Sequence, residues 1–259
     1  MRYLKLWMQY VAIQLAKDMA YKTNFFIKVL SLIIADVIGP IITILLYANT
    51  AGIPGWTFEE FILFQGTFIL VFGLGHLLFF GVPFEVVHMV REGEFNKILI
   101  APINPLMNVS FRSFDLEGFA EVITGMVLIM WALFRVDFVL MGMIAYVILI
   151  VAAVLFMYSV FVIISSISFI VVKTYALIDL FFKTSDIARY PASIYGSALR
   201  FFVSFLFPIA IAAYYPSMSL LRGVSWPWMI QVLAPVTAFF IFALIIWEVG
   251  MKRYTASGG

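Results

Sequence analysis

The chain has 259 residues, of which 64% are hydrophobic and only 12% charged, against about 25% charged in an ordinary soluble domain. A soluble core of this length leaves too much apolar surface uncovered, so a water-soluble globular domain is excluded and the bilayer is the solvent that fits. With no cysteine and a net charge of +2, disulfides, thiolate metal sites and cysteine nucleophiles are excluded, and nucleic acid is not an expected partner.

The chain opens with Leu4, Met8, Val11, Leu15 and Met19 on one helical stripe and Arg2, Lys5 and Gln9 on the other side. Leu6, Ile13, Asp18 and Lys22 interrupt the pattern. It predicts an amphipathic interfacial helix over residues 1–22, apolar face down in the headgroup region. The competing reading is an N-terminal extension of the first span. No apolar h-region followed by a small-residue cleavage site marks a cleavable signal peptide.

A spanning helix needs about 20 mostly apolar residues. Six such stretches follow within a 23–254 membrane-spanning domain: 25–48, 58–82, 116–134, one starting near Phe138, 199–215 and 228–248. The fourth apolar run continues to Val172, about 50 Å at 1.5 Å per residue and longer than the hydrocarbon core. It is expected either to project from the membrane as one long helix, the preferred reading, or to break near Ser165, Ser166 and Ser168. The fold class is therefore an all-α integral membrane protein with six transmembrane helices.

Charge placement orients it. With the N-terminus inside, fourteen Lys and Arg residues fall on inner segments, Lys173, Arg189 and Arg200 among them, and only Arg135 and Arg222 on outer ones. This bias puts both termini and the polar loop 83–113 in the cytoplasm. Trp56, Trp226, Trp228 and Trp247 near span ends suit an aromatic belt. Between the last two spans, 216–227 is an external segment, read as a re-entrant lid or a plain hairpin, with Pro208 and Pro235 expected to kink the helices beside it.

Several residues carry possible chemistry. Asp36 lies mid-span, where a charge costs about 2.5–3.5 kcal/mol unless paired or wet. It marks a wet pathway or an interface with a second membrane subunit, or else a neutral carboxyl bonded to a neighbouring helix; Lys28, two turns away, is expected to snorkel to the interface. Asp115 and Glu117 suit the N-terminal dipole of the third span, whereas Glu121 is deep enough to face a cytoplasm-side cavity on the pathway or the 83–113 loop. Gly66, Gly73, Gly75 and Gly81 in the second span point to close helix packing or a hinge. His76 and His88 are too far apart in sequence to suggest a metal site, so no metal is expected. The three serines lack the G-x-S-x-G pattern of a hydrolase and read as packing hydroxyls.

The loop Arg91-Glu-Gly-Glu-Phe-Asn-Lys-Ile-Leu-Ile-Ala-Pro102 is the most informative stretch. Arg91, Glu92, Glu94, Asn96 and Lys97 are polar, Phe95, Ile98, Leu99 and Ile100 form an expected apolar knob, and Pro102 and Pro105 end any helix. Such an amphipathic element suits docking into a partner groove; equally, it suits packing on its own membrane domain. This loop, set after an interfacial helix and two spans and before four more, resembles that of the membrane subunit of a type-2 ABC exporter (ABC-2 permease). Arg91, Glu92, Gly93, Leu99 and Pro102 match the family's loop, and Asp186-Ile-Ala-Arg-Tyr-Pro with Phe207-Pro and Ala213-Tyr-Tyr-Pro resembles a bacterial branch of it.

The resemblance implies that Arg91, Glu92, Gly93, Glu94, Phe95, Asn96, Ile98, Leu99 and Pro102 form a cytoplasmic coupling helix that docks on a separate ATP-binding subunit. It also implies two copies of that subunit, a second permease, identical or homologous, and a bacterial inner-membrane location. The chain has no phosphate-binding loop of the G-x-x-x-x-G-K-[ST] type, so ATP and Mg are expected on the partner and no cofactor or enzymatic activity on this chain. A stand-alone secondary transporter or channel is the alternative; a membrane enzyme needs a reactive cluster that the sequence does not present.

Overall fold

The computed structural model describes residues 2–171 and 174–254, with the side chain of Arg2 left aside. Val172, the end of the fourth apolar run, and Lys173, one of the cations assigned inside, lie outside the described residues. All regular elements among these residues are helical: α1 (Arg2–Ala20), α2 (Lys22–Asn49), α3 (Phe58–Phe79), α4 (Gly81–Arg91), α5 (Asn96–Leu99), α6 (Pro105–Arg112), α7 (Gly118–Leu133), α8 (Leu140–Ser168) and α9 (Tyr175–Ser185). After two short 3-10 turns, Asp186–Arg189 and Ala192–Ile194, come α10 (Ser197–Phe201), a π-helical turn (Phe202–Leu206), a 3-10 turn (Ile209–Ala212), α11 (Tyr214–Arg222) and α12 (Trp226–Arg253).

Four stretches are long and apolar enough to cross a bilayer: Lys22–Asn49, Phe58–Arg91, Leu140–Ser168 and Trp226–Arg253. Gly118–Leu133 is apolar but only 16 residues long. A break at Tyr21 separates α1 from α2, and α1 leans on α6 instead, with Trp7 edge-on to Phe114 and the Tyr10 hydroxyl donating to Asn108. The long fourth run is one unbroken helix of 29 residues that stops at Ser168. The Ser165 and Ser166 hydroxyls donate to Phe161 and Val162 carbonyls of the same helix, and the Ser168 hydroxyl to that of Ser165, so they satisfy themselves without breaking it.

The bundle has two ends. At the loop end lie α4, α5 and α6, anchored against the ends of α8 and α12. At the far end, the Thr57 capping box starts α3, the Val139 amide bonds the Leu220 carbonyl, and Arg222 reaches Glu60 at 3.1 Å. Glycines set the tightest contact, that between α3 and α7: a Cβ on Gly73 meets Glu121 and Val122, and one on Gly125 meets Leu70 and Gly66.

The expected fifth span, 199–215, is not a continuous helix. The segment that runs from end to end is 175–194: Tyr175 lies beside Phe84 near the loop end, Arg189 covers Phe68 in mid-α3, and the Trp56 indole donates to Ser193 at the far end. Residues 197–222 then form a hairpin that enters from the far end. Phe207 reaches Phe156 and Phe239, near the middles of α8 and α12, before α11 returns. Pro208, with no amide hydrogen, sits at the turning point. Pro235 lies inside α12 as expected. This moves two cations in the charge count: Arg189 sits at mid-bundle, and Arg200, which donates to the carbonyls of Ala192, Ser193 and Tyr195, at the far end. The bias of Lys and Arg toward the loop end survives the change.

Candidate functional site: a charged face and a loop on a clasp

The loop 91–102 folds as a turn around α5. Gly93 has φ 71°, a left-handed conformation that a Cβ disfavours, which gives the Arg-Glu-Gly sequence a physical reason. The single apolar knob expected from Phe95, Ile98, Leu99 and Ile100 is split. Phe95 and Ile98 are fully buried, with Phe95 edge-on to Phe169, Trp247 and Tyr254; their faces are used up inside this chain. Leu99 and Ile100 point outward, Ile100 at 83% exposure. Arg91, Glu92, Glu94, Asn96, Lys97 and Pro102 are exposed around them. Lys97 bonds Glu94 at 2.6 Å and holds its carboxyl below the usual range.

A polar track begins on α2 and α7. Lys28, expected to snorkel, instead pairs with Glu117 at 2.8 Å, while Asp115 accepts from the Glu117 amide. Burial opposes the charge on Asp115, but the His76 ring, the Glu117 amide and Lys28 outweigh it and hold its carboxyl below the ordinary value. His76 Nδ1 lies 2.9 Å from Glu121 and Nε2 lies 3.7 Å from Asp115. No local pattern hints at this juxtaposition, since the partners are about 40 residues apart and meet only because α3 and α7 pack glycine to glycine. Ligand atoms of His76, Asp115 and Glu117 fall within 4.8 Å of one another, a spacing a metal could use, but Lys28 and Glu121 already partner Glu117 and His76.

Further along α2, Asp36 borders a cavity of about 320 Å³ between α2, α3 and the Asp186–Arg189 turn. Gln65, Arg189 and Tyr190 line it with Ile38, Thr43, Phe61 and Phe68. Asp36 Oδ2 and Gln65 Oε1 are buried and have no hydrogen-bond partner. Asp36 and Glu121 are therefore not one cluster: Glu121 belongs to His76, and Asp36 to the cavity.

Arg189 leads to a feature that hydropathy hides. Asp179, Lys183, Asp186 and Arg189 recur at helical spacing along 175–189 and are all exposed. Asp186 and Arg189 pair at 2.8 Å, yet their side chains remain 64% and 55% exposed. This charged face turns away from the chain's own core, on a segment that traverses the bundle beside α3.

A family model described as ABC-2 family transporter protein matches residues 30–258. No curated protein matches the chain, and no solved structure does.

Proposed function

The chain belongs to the ABC-2 transporter family, and from that premise we propose that it is the permease of an ATP-driven exporter, paired with a second permease across the face of α2 and α9. The observation that carries this reading is the charged face of 175–189. Each charge turned to hydrocarbon costs about 2.5–3.5 kcal/mol, so four on one helical face need water or protein against them. A second permease, identical or homologous, with a wet pathway between the two supplies both. Asp36 opens onto the same face, which supports its reading as a pathway or interface residue; Glu121 sits behind it, paired with His76, and reads as support for that wall.

The loop end is read as cytoplasmic from the excess of Lys and Arg there, with both termini on that side of a bacterial inner membrane. Arg91, Glu92, Glu94, Asn96, Lys97, Leu99, Ile100 and Pro102 present the surface that an ATP-binding subunit would grip, and Gly93 shapes it. Phe95 and Ile98 anchor that surface and transmit a push into α8 and α12. Two ATP-binding subunits would carry the ATP and Mg; this chain supplies no nucleotide site and works as a transport component. The far-end hairpin 197–222 is suited to act as an outer lid.

The broken 175–194 segment is also what a stand-alone secondary transporter predicts. One experiment separates the two. Purified in mild detergent, the protein should bring an ATP-binding subunit with it, and reconstituted vesicles should move cargo only with ATP. Protein that purifies alone and transports without ATP sinks the ABC reading of its mechanism.

A further inference from the structure

The cavity beside Asp36 has a chemistry of its own. Its walls are mostly apolar: Ile38, Ile42, Leu46, Phe61, Phe68 and Ile69. Into this lining project two oxygens, Asp36 Oδ2 and Gln65 Oε1, that are buried and accept no hydrogen bond. Buried acceptors without donors are rare and costly. Asp36 and Gln65 stand on different helices, α2 and α3, and Gly39 of α2 faces the Gln65 amide. Both orphan groups need the same thing, an N–H or O–H donor.

Charge narrows the donor. Along the exposed face, Asp179 and Lys183 are one turn apart with opposite signs, and Arg189 donates from Nε to Asp186 at 2.8 Å. These four cancel, and Asp36 is the acid left over. Arg189 lies at the cavity wall with its guanidinium over Phe68, 5.1 Å from the ring centroid, and its Nε on Asp186. An anion entering here would meet two acceptors, the Asp36 carboxyl and the Gln65 carbonyl, with Arg189 held by Asp186; a neutral apolar molecule would leave both oxygens unpaired. The lip of the cavity is formed by Ala35, Ile38 and Ile42 of α2, all exposed, which leaves it reachable from the apolar side.

We propose that this cavity binds amphipathic ammonium compounds, the N–H cation donating to Asp36 and Gln65 and the apolar body lying against Phe61, Phe68 and the α2 isoleucines. The proposal rests on the reading of this face as the transport pathway, and it names the class of cargo that face selects.

The test uses the full-length permease in lipid nanodiscs and three dansyl probes of nearly one shape. They are dansylcadaverine, which carries a primary ammonium, its N-acetyl derivative, which is neutral, and a dansyl-aminohexanoate, which is anionic. Binding is read from the blue shift of dansyl emission above empty nanodiscs. The ammonium probe is expected to bind saturably and at least tenfold tighter than the other two. Asp36→Asn should erase that preference, and Gln65→Leu should weaken the ammonium probe several-fold. Equal binding of the three probes by the wild type overturns the proposal without recourse to any variant. So does an unchanged preference in a folded Asp36→Asn protein, which would place the ammonium away from Asp36. The readout needs no ATP-binding subunit. Its failure is thus distinct from failure of the ABC mechanism, which shows instead as transport without ATP.

Discussion

Phe95 and Ile100 are five positions apart in one loop, and their substitution has opposite consequences. Phe95 is fully buried among Phe169, Trp247 and Tyr254. Truncation to Ala removes that packing, and large-to-small aromatic changes cost about 3–5 kcal/mol. Phe95→Ala is expected to lower the melting temperature of the purified permease by several degrees, measured by intrinsic fluorescence in detergent. Ile100 is 83% exposed and touches little of its own chain. Ile100→Asp should leave the melting temperature unchanged and reduce recovery of the ATP-binding subunit at least tenfold in pull-down. Normal recovery would remove Ile100 from the docking surface. The sequence presents Phe95, Ile98, Leu99 and Ile100 as equivalent apolar residues. Which of them turn inward depends on the ends of α8 and α12, more than 70 residues further along the chain, and no local pattern carries that information.

At the level of elements, the α3–α7 contact was legible in part. Gly66 and Gly73 read as packing glycines from sequence, and they do face α7; Gly118 and Gly125 complete the pair from the other side. A Cβ on Gly125 would stand 2.6 Å from the Leu70 amide nitrogen, backbone that cannot yield. Gly125→Val is therefore expected to destabilise the bundle by roughly 2–3 kcal/mol, as overpacking does, and to disturb the His76–Glu121 contact held by the same helices. Gly196→Ala, with nothing within 4 Å of the added carbon, is the matched control and should be silent in the same thermal melt. The fifth traverse was not legible, for a physical reason. Hydropathy assumes that a spanning segment faces lipid, and Asp179, Lys183, Asp186 and Arg189 give 175–189 a face that does not. The neighbouring apolar stretch 199–215 fits that assumption better, although Pro208 and the π-helical turn before it fold that stretch back on itself.

The whole molecule can be tested by labelling, because the chain contains no cysteine and each introduced thiol reports alone. Arg91→Cys and Arg200→Cys are expected to react with a membrane-impermeant maleimide from opposite sides of the membrane. Labelling of both from one side contradicts the traverse by 175–194. Asp179→Cys and Lys183→Cys, placed on the charged face, should react with the same reagent far faster than Ile245→Cys, which is exposed on an apolar face of α12. Equal rates would mean that no water reaches that face. Charge placement in the sequence already sets the polar loop apart from the far end, whereas the depth of Arg189 and the position of Arg200 needed the fold.

One feature of that fold bears on how force is carried. α8 is a single rod of 29 residues, about 43 Å at 1.5 Å per residue. At one end Phe169, just past its last turn, grips Phe95 of the loop; at the other, Gly142 abuts the Ser219 carbonyl and Val139 bonds Leu220, both in the returning arm of the hairpin. α2, which forms the lip of the Asp36 cavity, packs on α3 and α7 instead. Under the proposed docking at the loop, a displacement there passes along α8 directly to the hairpin, whereas it reaches the mouth of the cavity on α2 only through α3 and α7.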